Sequence, residues 1–184
     1  FVILSLPFFI LLSCSTSDKP KQNGFIIDGN LTEFNGDSVF LKNTNTGELT
    51  AAKVKNGKFR FEGEIEFPES YLLSLEREQE HLVRIFVENS NISITGSADS
   101  LGRLKIVGSK SYDEYDDYRT SIQPMRDQLN QLDNDMNEAM ENNLMDKADS
   151  LGELYQTVAI KRLESVLAYE ENNKKSPIIP FLTF

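Results

Sequence analysis

Along this chain of 184 residues the spacing of hydrophobic side chains changes once, at Ser109, and that change limits the fold more than any other feature. Over residues 24–108 apolar positions alternate with polar ones in short runs broken by Gly, Asn and Pro. Beyond Ser109 they recur at intervals of three and four. Alternation sends successive side chains to opposite faces of a strand, whereas the longer interval gathers them on one side of a helix. The chain is therefore expected to build an all-β unit first and a helical one after it, α+β overall.

Phe25-Ile26-Ile27 opens the first strand, Val39-Phe40-Leu41 follows the Asn35-Gly36 turn, and residues 49–54 follow Asn45-Thr46-Gly47. Asn56-Gly57 supplies the positive φ angles of a type I′ hairpin. It is expected to join Ala52-Lys53-Val54-Lys55 to Lys58-Phe59-Arg60-Phe61-Glu62, with Phe59 and Phe61 on the dry face and Lys58, Arg60 and Glu62 on the wet one. Tyr71-Leu72-Leu73-Ser74-Leu75 and residues 82–87 form a pair around the polar tip 76–81. Asn91-Ile92-Ser93-Ile94-Thr95 and Leu104-Lys105-Ile106-Val107 bring the total to about eight strands, and Pro68 falls between runs. Residues 24–109 thus predict an all-β antiparallel sandwich or open barrel.

Residues 110–175 predict a long antiparallel α-helical hairpin. Ser111-x-x-Glu114 has the form of a capping box, and the acids of the first turns suit the helix dipole. Ile122, Met125, Leu129, Leu132 and Met136 make an a/d seam that Pro124 should kink. Asn142-Asn143 marks the turn. Leu144, Ala148, Leu151, Tyr155, Val158, Ile160, Leu163, Val166 and Leu167 then give a second, broader apolar stripe, which ends before Pro177. Residues 178–184 are apolar, and residues 176–184 read as the start of a missing C-terminal region, further chain being expected to cover the Ile, Leu and Phe side chains there.

The amino end fixes an address. Residues 1–13 are apolar and uncharged, too short to span a bilayer, and close with Leu11-Leu12-Ser13 before Cys14. This reads as a lipoprotein signal peptide whose own beginning is missing, with Cys14 as the lipidation site. Residues 14–23 would be the lipidated cysteine and its tether. Two or more acyl chains on Cys14 are enough for stable anchoring, so the membrane is an expected partner and the bacterial cell envelope the expected location. Cys14 is also the sole cysteine, which leaves no thiol for a disulfide, a nucleophile or a metal.

A net charge of −10 provides no basic stripe for phosphate neutralisation, so nucleic acid is not an expected partner. His81 is the only histidine and sits in the charged tip; structural metal sites need several nitrogen or sulfur donors, so it reads as a loop residue. Tyr112, Tyr115 and Tyr118 alternate with Asp113, Glu114, Asp116 and Asp117, a composition that also suits calcium or sugar. The helix dipole accounts for those acids, and packing on the strands accounts for tyrosines three apart. Nothing sets two carboxylates at the separation that glycoside hydrolysis requires. Gly29, Gly36 and Gly47 read as turn residues and not as a phosphate cradle. Met125, Met136 and Met140 read as seam. No catalytic residue, cofactor or metal is expected.

One set of motifs resembles a known family. Phe25-x-Ile27-x-Gly29-x-Leu31, Val39-x-Leu41, Asn56-Gly57-Lys58-Phe59-x-Phe61-x-Gly63, Pro68-x-x-Tyr71, Phe86-Val87-Glu88-Asn89-x-x-Ile92-x-Ile94-x-Gly96 and Val107-Gly108-Ser109 are similar in order and spacing to the Bacteroidetes envelope family of the domain of unknown function 4369. The resemblance covers residues 24–110. It implies the front part of a lipoprotein, followed by a helical segment and then by a thioredoxin-like thiol-disulfide oxidoreductase domain of the TlpA or AhpC/TSA type. No Cys-x-x-Cys occurs here, so the family's redox residues map onto no position of this chain. The expected function is a non-catalytic module that positions such a domain within the same polypeptide, with a homodimer as a further expected partner. The alternative is a stand-alone surface lipoprotein binding a glycan or peptide. An enzyme acting through carboxylates is a third reading.

Overall fold

A computed structural model describes residues 23–76 and 82–182. Eight strands precede two long helices among the described residues: β1 (Phe25–Thr32), β2 (Ser38–Asn43), β3 (Leu49–Lys53), β4 (Lys58–Gly63), β5 (Glu69–Ser74), β6 (Val83–Val87), β7 (Asn91–Ser97), β8 (Lys105–Val107), α1 (Lys110–Glu141) and α2 (Met145–Asn172). The α+β order matches the change of period at Ser109. A short 3-10 segment, Ala98–Arg103, links β7 to β8 and carries no sequence signal of the kind that marks the strands.

The strands do not close into a barrel. They divide into two four-stranded sheets, ordered β4-β1-β7-β8 and β3-β2-β5-β6. One pairing departs from the expected antiparallel pattern: β1 and β7 run parallel, Ile27 opposite Ile92 and Gly29 opposite Ile94. A parallel neighbour needs a long crossover, and here the chain from β2 to β6 is that crossover, with β2, β3, β5 and β6 in the other sheet and β4 returning to the far side of β1. β7 enters beside β1 from the same end, where the Ile26 N–H donates to the Ser90 carbonyl at 3.0 Å.

Ile27, Val39, Leu73, Ile85 and Ile94 are fully buried and, drawn from both sheets, belong to one apolar cluster. Along β4 burial alternates as the sequence requires, with Phe59 and Phe61 inside and Lys58, Arg60 and Glu62 outside. Asn56 and Gly57 take φ values of 52° and 75°, the left-handed pair of a type I′ turn. Lys55 and Lys58 exchange hydrogen bonds of 2.9 and 3.0 Å across it. The expected hairpin extends no further, because β3 then pairs with β2 and β4 with β1, in different sheets.

Gly29 is no turn residue. It sits in the middle of β1 opposite Phe59, whose ring lies across it; a Cβ there would fall 1.9 Å from the ring. Gly63 stands in the same relation to Phe25 on the neighbouring strand, so two rings cover the two missing side chains.

The helices form an antiparallel hairpin turned at Asn142 and Asn143, and α1 runs through Pro124 as one element. Ile122, Leu129 and Leu132 are buried along the seam, Met125 and Met136 half-buried. Met140 is exposed, contrary to its reading as seam. The broad stripe expected on α2 is narrower too: Ala148, Val158 and Val166 are buried, whereas Leu144, Ile160, Leu163 and Leu167 are exposed. With a single partner helix, only one narrow face of α2 points inward. After α2 the chain returns to the sheets, burying Ile178 and Leu182 and half-burying Phe181 in the main cluster. These side chains are covered by the chain itself, which removes the reason given above for expecting further chain over them.

Candidate functional site

The functional geometry gathers where α1 leaves the sheets. Ser109 accepts a hydrogen bond from the Tyr112 N–H at 3.1 Å and is the N-cap, two residues earlier than the Ser111 capping box would place it. Ser111 has another task. Its hydroxyl donates to one oxygen of Glu88 at 2.8 Å, while the Lys110 N–H donates to the other at 2.7 Å. One carboxylate from the β6–β7 connection therefore occupies two donors at the start of α1, where the helix dipole favours negative charge. Glu114, the other half of the expected box, instead accepts from the Tyr169 hydroxyl of α2.

The three tyrosines part company. The Tyr115 ring packs on Phe86 of β6, centroids 4.9 Å apart, and Phe86 meets Phe181 edge-on at 5.3 Å. Tyr118 turns to α2 and packs against Tyr169 at 4.9 Å. Burial and the Glu114 hydrogen bond push the Tyr169 phenol up to about 12. Tyr112 and Tyr115 face a cavity of about 240 Å³. Packing on the strands thus holds for Tyr115, whereas Tyr118 packs on the partner helix instead.

This junction cavity is enclosed by three parts of the fold. Leu82, Val83 and Arg84 come from the edge of one sheet, Leu101, Gly102 and Leu104 from the connection to β8, and Tyr112, Tyr115, Arg119 and Arg126 from α1. Arg119 is held by Asp116 at 2.6 Å. Arg84 donates to the Ser70 hydroxyl at 2.7 Å and lies over the Phe181 ring at 5.9 Å from its centroid. Neither Arg84 nor Arg126 has a carboxylate partner among the described residues. Burial, reinforced by the charge of Asp116, raises the Tyr112 phenol above its ordinary range, so it stays a protonated donor. Sequence reasoning missed this site because Arg84 lies far along the chain from Arg119 and Arg126.

A second cavity, about 200 Å³, opens between the two sheets at their other end. Phe25, Phe61 and Tyr71 supply aromatic surface there, and Glu48 and Glu64 line it as well. Cys14, the signal peptide 1–13, the tether up to residue 22 and His81 lie outside the described residues. No helix among the described residues is long and apolar enough to cross a membrane.

No curated protein and no solved structure matches this chain. Residues 25–115, comprising both sheets and the first turns of α1, match the family described as a domain of unknown function (DUF4369).

Proposed function

We propose that this chain is the non-catalytic front module of a lipid-anchored envelope protein, a β-sandwich and helical spacer that positions a thioredoxin-like thiol-disulfide oxidoreductase domain of the same polypeptide. The observation that carries the reading is the joint between sheets and helices. Glu88 ties Lys110 and Ser111 to the β6–β7 connection, and one apolar cluster runs from Ile27 and Ile94 through Phe86 to Val166 and Ile178. A spacer can orient a partner domain only if its two halves move as one, and a shared core gives that stiffness. Lipid on Cys14 would hold the module at the membrane of a bacterial cell envelope.

Two experiments test it. Cells expressing the protein with a complete signal should incorporate fatty acid into it, and Cys14→Ala should abolish the label; labelling that survives the substitution overturns the anchor. Sequencing the intact gene beyond the codon for Phe184 should show a Cys-x-x-Cys in a βαβ pattern, and a stop codon there overturns the positioning role. The second reading, a stand-alone surface lipoprotein binding a glycan or peptide, is favoured by the cavity between the sheets, where Phe25, Phe61 and Tyr71 adjoin carboxylates.

A further inference from the structure

We propose that the junction cavity between β6 and α1 binds a small organic carboxylate with an apolar body. In a chain of net charge −10, three of the seven arginines line this one cavity. Asp116 neutralises Arg119. Arg84 is bonded to a neutral hydroxyl, and Arg126 has no hydrogen-bond or ionic partner among the described residues. Two arginines that line one recess and have no carboxylate partner among the described residues favour an anion there. The planar fork of each suits an oxyanion that can accept two parallel bonds. Tyr112 and Tyr115 add phenols that have no hydrogen-bond partner among the described residues. The opposite requirement, a dry wall, is met by Leu82, Leu101 and Leu104. Such a pocket, mostly apolar with a few converging donors, fixes both the charge and the orientation of its ligand.

The chemistry has two sources, a free acid or the carboxyl end of a peptide, and the probes separate them. Phenylacetate represents the free acid and N-acetyl-phenylalanine the chain end, with phenylacetamide as the uncharged control and inorganic phosphate as the anion without an apolar body. Titration calorimetry on the full chain should show binding of at least one carboxylate probe, with phenylacetamide at least about tenfold weaker. Arg126→Gln should weaken binding about tenfold without shifting the melting temperature, because Arg126 is exposed and unpartnered among the described residues. Gly102→Asp is the second variant: no atom lies within 4 Å of where its Cβ would sit, so the new carboxylate fits at the wall and competes for the guanidiniums. It too should abolish or strongly weaken binding, whereas Arg60→Gln, on the outer face of β4, should leave it unchanged. Phenylacetamide binding as tightly as phenylacetate, phosphate binding as tightly as both carboxylates, no binding of either carboxylate, or binding untouched by Arg126→Gln and Gly102→Asp would each overturn the proposal.

Discussion

An added methyl at Gly29 would have to share space with the ring of Phe59, which is itself buried and cannot swing away. Gly29→Ala is therefore expected to cost about 1–3 kcal/mol, the range of an overpacked core, although alanine suits a strand no worse than glycine does. Phe59→Ala removes the ring and should cost about 3–5 kcal/mol, while Lys58→Ala on the outer face stays within roughly 0.5 kcal/mol. Urea titrations of the three variants check the set. Comparable losses at Lys58 and Phe59 would contradict the face assignment. At this scale the sequence was readable for Phe59 and Phe61, whose alternation with charged residues is a local property. It was not readable for Gly29, because only the register of β1 against β4 reveals which ring lies over it. The same holds for Arg84: a spacing of seven puts Arg119 and Arg126 on one face of α1, but their meeting with Arg84 is a product of packing an edge strand against that helix.

Among the elements, helix α1 depends on how its start is satisfied. Ser109→Ala removes the cap to the Tyr112 N–H and should cost about 1 kcal/mol, measured by thermal or denaturant unfolding. Had Ser111 been the cap, as the Ser-x-x-Glu pattern suggests, Ser109→Ala would be near neutral. The pattern misled because Glu88, distant in sequence, takes up the Ser111 hydroxyl that would have been the cap. The hairpin's base carries a pH dependence. Tyr169 holds its proton more tightly in the folded chain, near 12 against an ordinary 10, so its contribution is complete below pH 10 and lost as pH rises towards 12. The denaturant midpoint should fall between about pH 10 and pH 12, and fall less in Tyr169→Phe. An equal fall in both proteins would place the titrating group elsewhere. Strand and helix order was legible throughout, since period follows directly from burial on one face. The width of the α2 stripe was not, because a sequence shows which residues are apolar but not how many neighbours a helix has.

For the whole molecule, the absence of any cysteine other than Cys14 has a direct outcome. The purified chain should not reduce insulin disulfides, since a dithiol catalyst needs an attacking thiolate and a resolving thiol. Reduction by the Cys14→Ala variant would require chemistry unrelated to thiols. The parallel pairing of β1 with β7 has a consequence of another kind, in the order of events by which the fold is reached. β1 leaves the ribosome first, yet both of its neighbours, β4 and β7, come later, and Ile26 cannot find its place until Asn91 has been made. The helical hairpin closes over a turn of a few residues, whereas the central pairing of this sheet spans more than a third of the chain. Contacts that distant are slow to form. In refolding, protection of the amides of β1 against exchange should therefore trail that of α1 and α2, so that the first strand made is among the last to be locked in place.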